Sequence, residues 1–348
     1  MAKLHVVQAD RGESFLLECG CPRNYILIDG GYKKTFKDHL QNVFKKEQIQ
    51  RLDLVIASHV DNDHIGGLLA ILKNQREGSD LLPHGLWHNT FDKEIEDRIK
   101  HKLDQLRTSF SHEASVQQFI DKELIGIKEG NQLKERAESL GIPINDSFPE
   151  KKVQIQKLPK SDIGKKNIFF YVIGPTKENL EQLENEWDKW NESCRKGRID
   201  PSPFNKSSIM VLVKVVEGNV PKSILFTGDG SSNDILEGLE RTNLLEEGGI
   251  LSVHVLKVPH HGSLHNVNKT FFTRIIADNY VISGKGDDHP AENTLKWIIE
   301  SASSDEREIQ IFVTNENNAV KKIKKEFPKW KSRIRNIEEG DNSVSVPF

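Results

Sequence analysis

Residues 58–67 read SHVDNDHIGG, and four side chains able to bind metal, His59, Asp61, Asp63 and His64, stand within six positions. The stretch before them, 52–57 (LDLVIA), is an apolar run of strand length. The stretch after them, 65–72, opens with Gly66 and Gly67 and reads as a helix. The pattern predicts a strand-to-helix loop, where the end of a rigid strand aims several short side chains at one point. Imidazole nitrogen and carboxylate oxygen suit a divalent transition metal. A segment this short can hardly wrap four ligands around one centre, so the spacing predicts two ions, an arrangement that activates water and clamps a phosphate.

Working outward, the chain of 348 residues is long enough for one large domain or two small ones, with 36% hydrophobic and 29% charged residues. A net charge of −3 provides no global attraction to nucleic acid or to an anionic membrane. Three cysteines, Cys19, Cys21 and Cys194, argue against a disulfide framework and for a reducing compartment. The opening MAKLHVVQADRG lacks the apolar core of a signal peptide, and no run of about 18 apolar residues occurs. The expectation is a soluble cytoplasmic protein without membrane contact.

Residues 4–8 read as a strand, 14–18 and 25–28 as a hairpin ending in Asp29-Gly30-Gly31, and 36–44 as an outer helix. His88, in GLWHN, stands at the end of a further strand. From 91 to 140 apolar residues recur at spacings of three and four among charges, which predicts an insertion of two or three amphipathic helices packed over or beside the site. It serves as a substrate gate, as a protein-partner surface, or as decoration that buries its own stripe. Residues 168–173 form a strand, and 176–194, with Trp187 and Trp190, a polar helix. A second hairpin, 205–216 with 223–226, again ends in an acid, Asp229, placed to bridge two metals. Strand 253–258 leads to His260 and His261. Strand 280–283 leads to a loop holding His289 and then to a helix over 291–301. Late strands fall at 310–314 and 343–346. Between them, the basic stretch 321–335 with Phe327 and Trp330 reads either as a nucleic-acid contact or as a solvated helix broken by Pro328.

His59-x-Asp61-x-Asp63-His64 resembles the metallo-β-lactamase superfamily signature His-x-His-x-Asp-His, with Asp61 in place of the second histidine. With the following Gly-Gly, the opening HVVQADRGESFLLE, and the later blocks LFTGD, KVPHHGS and VISGKGDDHP, it is similar to the metallo-β-lactamase-like domain of ComEC-type DNA-uptake proteins. The resemblance covers roughly residues 4–75 and 205–300. It implies an α/β fold, an αβ/βα sandwich of two mixed sheets with outer helices; the whole chain then reads as a single domain over 1–348, with a core of about 1–90 and 151–348 and the helical insertion, outside the resemblance, at 91–150. It also implies that Asp29 orients the ligand loop by hydrogen bonds.

The expected metal ligands are His59, Asp61, Asp63, His64, Asp229, His261 and His289, for two divalent ions, zinc or manganese. His59 and Asp61 take a third ligand from His88 or His261. Asp63 and His64 take a late one from His260 or His289. Carboxylate is harder than imidazole, so Asp61 favours manganese or magnesium at its position. Asp63, His260 and His261 are the expected catalytic residues; whichever of the paired histidines binds no metal protonates the leaving oxygen, and Ser263 is a candidate phosphate contact. The implied activity is a metal-dependent hydrolase, a phosphodiesterase or nuclease acting on nucleic acid or a nucleotide. The alternatives are a hydrolase of a small nucleotide, lactone or thioester, and a partner-binding component of a bacterial antiviral assembly.

Overall fold

The computed structural model describes residues 2–73, 75, 81–91, 93–155, 167–181, 183, 202–218, 220–286 and 289–348. In chain order the strands are β1 (Lys3–Val7), β2 (Phe15–Cys19), β3 (Asn24–Ile28), β4 (Leu54–Ile56), β5 (Leu86–Trp87), β6 (Ile168–Gly174), β7 (Met210–Glu217), β8 (Val220–Phe226), β9 (Leu251–Lys257), β10 (Ile275–Ile282), β11 (Gln310–Val313), β12 (Ile334–Asn336) and β13 (Ser343–Pro347). Among the described residues they form two sheets, ordered β13-β1-β2-β3-β4-β5 and β12-β11-β10-β9-β8-β7-β6. Both are mixed. In the first, β13 to β3 pair antiparallel and β3 to β5 parallel. In the second, β6 to β8 pair antiparallel and β8 to β12 parallel.

The period of two along each strand explains the layers. Leu4, Val6, Leu17, Ile26 and Ile28 meet Val211, Val213, Ile224 and Phe226 in the core between the sheets. The alternate residues Val7, Leu16 and Leu27 point outward to a cluster shared with Phe44, Ile65 and Leu68. On the far side Leu212, Leu225 and Leu256 join Ile235, Leu239, Leu295 and Ile298 of the outer helices. Strands covered on both faces read as apolar runs. This is the expected sandwich of two mixed sheets with outer helices.

The helix expected at 36–44 includes a π-helical segment, Phe36–Leu40, followed by an α-helix, Gln41–Lys46. The polar helix expected at 176–194 is described only at its start, Lys177–Glu181; Trp187, Trp190 and Cys194 lie outside the described residues. The basic stretch divides into a helix, Asn318–Glu326, a 3-10 segment, Pro328–Arg333, and β12, because Pro328 cannot continue the helix. The insertion is a pair of helices, Lys93–Ser109 and Ala114–Ser139. Their stripe is shared out. Ile99, Leu103, Val116, Ile120 and Ile127 pack with Val60 and Phe204, whereas Leu133, Ala137 and Leu140 join the outer core of the first sheet. No helix among the described residues is long and apolar enough to cross a membrane.

Candidate metal centre

The side chains singled out above emerge from the C-terminal ends of strands: Asp29 after β3, Ser58 and His59 after β4, Asp229 after β8, and His260 and His261 after β9. Asp63 and His64 lie in the first turn of helix Asn62–Lys73. That helix rests directly on the loop after β3. Gly67 donates its N–H to Gly31 O at 2.8 Å and Gly30 donates to His64 O at 2.7 Å; a Cβ on Gly67 would stand 1.9 Å from Gly30 O. The glycine pair after His64 is therefore a condition of contact. The contact delivers Asp29, whose Oδ1 accepts from Ser58 N–H (2.7 Å) and whose Oδ2 accepts from Ser58 Oγ (2.7 Å) and His64 Nδ1 (2.8 Å).

These bonds settle which ring nitrogens face the centre. His64 uses Nδ1–H on Asp29, so Nε2 points inward. Ser58 spends its only hydroxyl hydrogen on Asp29, so it accepts from His59 Nδ1–H (3.0 Å) and leaves His59 Nε2 inward. His261 Nδ1 donates to Ser283 O (2.8 Å). Asn266 gives its amide hydrogen to Asp229 O (2.8 Å), so its Oδ1 accepts from His260 Nδ1–H (2.6 Å). Four Nε2 atoms thus converge. Asp229 Oδ2 lies 3.5 Å from that of His64, 3.6 Å from that of His260 and 3.8 Å from that of His59. His261 Nε2 lies 3.9 Å from Asp63 Oδ2. Two ligands of one tetrahedral ion sit roughly 3.3–3.6 Å apart.

Four overlapping triplets among the described residues present ligand atoms within 4.8 Å of one another: His59, His64 and Asp229; Asp63, His64 and His261; Asp229, His260 and His261; and Glu13, Asp29 and His64. His59 Nε2, His64 Nε2, Asp63 Oδ1 and Asp229 Oδ1 are buried without a hydrogen-bond partner. Polar atoms left this way are costly unless a cation meets them. Donor chemistry, spacing and orphaned atoms fit a two-ion centre.

The electrostatics follow the same geometry. Burial opposes a charge on His64, but Asp229 and Asp29 outweigh it and hold the imidazole well above its usual range. A proton on His64 Nε2 and an ion at that place are alternatives. Burial also opposes ionisation of Asp229 and Asp63, yet both carboxyls are held below the usual range, Asp229 by His260 and His64, Asp63 by Lys122 and His64. Burial pushes His261 down to about 3 and, with the His64 charge, lowers His59.

Residues 9–101, which include Asp29 and the whole His59–His64 cluster, match the family model of the metallo-beta-lactamase superfamily. Among solved structures, a new diphosphatase from the PhnP family aligns over 100% of this chain and 98% of its own, with a TM-score of 0.43 and 9% identity. No curated protein matches.

Around the matched segment the structure gathers His59, Asp63, His64, Asp229, His260 and His261. Asp61 is alongside, its Oδ2 3.8 Å from His59 Nε2 but 3.0 Å from Lys122 Nζ. The ring of His289 flanks the paired histidines, 5.9 Å from His260 and 6.1 Å from His261 between centroids, and joins none of the triplets. His88 is not brought to the cluster: its Nε2 donates to Gly130 O (3.0 Å) and its backbone N–H to Asn145 (2.9 Å). Ser263 is buried in the histidine turn, where its Oγ accepts from His265 N–H (3.3 Å). That turn is strained, since His260 and His261 both take left-handed backbone angles, φ 43° and 53°.

Sequence reading missed a buried base to the centre. Lys257, 1% exposed, forms an ion pair with Glu13 Oε2 (2.6 Å) and donates to Gly228 O, with its ammonium 3.7 Å from Asp229 Oδ1. Glu13 also approaches His261 Nδ1 at 3.2 Å. Another triplet, His5, Glu18 and Glu47, lies elsewhere on the first sheet and already holds cations, Arg23 on Glu18 and Lys3 on Glu47.

Proposed function

We propose that the chain is a metal-dependent hydrolase of phosphodiesters. The observation that carries this is the convergence of three imidazole Nε2 atoms on Asp229 Oδ2, with Asp63 and His261 beside them. His59, His64, Asp63, Asp229 and His261 would hold the ions, and Asp61 adds a hard oxygen that favours manganese or magnesium on its side. The chemistry such ions supply is an activated water and neutralisation of charge at the scissile group. Asp63 Oδ1, buried and without a hydrogen bond, is placed to accept from the attacking water and orient it. His260 is the more exposed of the paired histidines, at 13% against 6%, and is anchored through Nδ1, so its Nε2 is free to carry a proton to the leaving oxygen. A cation at the rim supports an anionic substrate: Lys122 lies beside Asp61.

A second reading, a small phosphodiester in place of long nucleic acid, is favoured by the inserted helix Ala114–Ser139, which lies on the ligand loop at Val60. The basic stretch adds little support for a nucleic-acid track. Phe327 and Trp330 pack against the outer core, and Lys322, Lys324 and Arg333 pair with Glu292, Glu316 and Glu308. For a protein-partner role, Ile125, 47% exposed, is the one large exposed hydrophobic on the insertion among the described residues. The test is incubation of the purified chain, with manganese or zinc, with single- and double-stranded DNA, RNA and a chromogenic phosphodiester. We expect metal-dependent cleavage that Asp63→Asn abolishes. Cleavage of none of them by a folded chain would sink the proposal.

A further inference from the structure

The two sides of the centre are unequally supplied. Asp63, His64 and His261 form one triplet with Asp229 adjacent, and that side has two imidazoles. On the other side, His59 and Asp61 share Asp229, and His64 completes a triplet with His59 and Asp229; His88 is turned away to Gly130, and Asp61 already has a cation. The cation comes from the insertion. Residues 122, 126, 129 and 130 lie on one face of helix Ala114–Ser139, and each meets the matched segment: Lys122 Nζ at 3.0 Å from Asp61 Oδ2 and 3.7 Å from Asp63 Oδ1, Gly126 against Val60, Glu129 accepting from Asn62 Nδ2, and Gly130 O accepting from His88. A Cβ on Gly126 would stand 2.9 Å from Val60 O, so the helix can come no nearer with a larger residue there. The neighbouring Glu123 is fixed by Ser202 Oγ at 2.9 Å, which holds this turn of helix in place.

We propose that Lys122 is a positioning residue that controls ion loading at Asp61. Its ammonium occupies the cation position beside Asp61, so the chain takes one ion tightly at Asp63, His64 and His261. It takes a second at His59 and Asp61 only when Lys122 withdraws. An ammonium and a divalent ion on the same carboxylate repel at short range in a buried site. The side chain of Lys122 is 45% exposed, so it has room to withdraw. The inserted helix then acts as a gate on metal content. This rests on the metal-centred reading above and adds the identity of the gate.

The test is a manganese titration of the full-length chain by calorimetry, with native mass spectrometry to count ions. In the parent we expect a first ion bound roughly tenfold or more tighter than the second. Lys122→Met keeps the stem and removes the charge. It should tighten the second ion by roughly tenfold and move the first by less than about threefold. Lys122→Gln should behave the same way, and Lys122→Arg should keep the parent's asymmetry. Two equally tight ions in a parent that cleaves phosphodiester would overturn the gate and leave the hydrolase standing. So would a second ion unchanged or weakened in both neutral variants. A folded parent that binds no ion would overturn both.

Discussion

Asp29 and Asp229 end the same local construction, a β-hairpin feeding an acid at a strand's C-terminal end, one in each sheet, and they do opposite work. Asp29 has both oxygens filled by three donors, two from Ser58 and one from His64. Asp229 has its backbone pinned, its N–H donating to Ser208 Oγ (3.2 Å) and its carbonyl accepting from Asn266 (2.8 Å), while Oδ1 has no hydrogen bond and Oδ2 faces three imidazoles. A carboxylate ringed by N–H and O–H donors becomes a brace. One whose neighbours are ring nitrogens, each already committed through its other nitrogen, is left open to a cation.

The strongest way to break that contrast is to neutralise each acid in turn. Asp229→Asn should lose at least one bound ion by elemental analysis and cut phosphodiester cleavage roughly a thousandfold. Asp29→Asn should retain both ions at saturating metal but weaken their affinity roughly ten- to hundredfold, because His64 loses the partner that orients it. Equal ion loss in the two variants would show that Asp29 is a ligand after all. Added manganese should raise the melting temperature of Asp29→Asn and fail to raise that of Asp229→Asn.

His88 sharpens the comparison from a third strand end. Burial pushes its imidazole down to about 4, so the folded chain keeps it neutral while the unfolded chain protonates it below about pH 6.5. The unfolded state then binds more protons, and stability falls as pH drops from about 6.5 towards 4, by about 2 kcal/mol at pH 5 from this residue. Melting at pH 7 and pH 5 should show His88→Gln losing less on acidification than the parent, at constant metal. A smaller effect is expected of Ser58→Ala. It removes one donor from Asp29 and should cost about 1 kcal/mol in urea titration, with ion count unchanged.

Much of the centre was legible because its residues are local or sit in obvious punctuation. His59, Asp63 and His64 share one loop, and Asp29, Asp229, His260 and His261 each follow an apolar strand. The unread parts act over long sequence distances. Lys122 is one charge on an amphipathic helix, with the same signature as a solvated face, and its meeting with Asp61 depends on the packing of Gly126 on Val60. Glu13 and Lys257 are 244 positions apart (257 − 13), and nothing local marks either as buried. His88 stays outside the cluster for a related reason: it ends a strand as His59 does, but a carbonyl of the inserted helix reaches its Nε2.

Lys257 has a consequence for the order of assembly. Sealed beneath Asp229 and tied to Glu13 and Gly228, it cannot leave the centre, and Lys122 brings a second ammonium to the opposite rim. The chain thus carries its own counter-ions through folding. In small metal-nucleated domains the binding free energy of the ion is the folding free energy. Here an ammonium already stands near each acid, Lys257 3.7 Å from Asp229 Oδ1 and Lys122 3.0 Å from Asp61 Oδ2, so loading is expected to exchange charges on a folded scaffold. A chelator should strip the centre and leave both sheets standing.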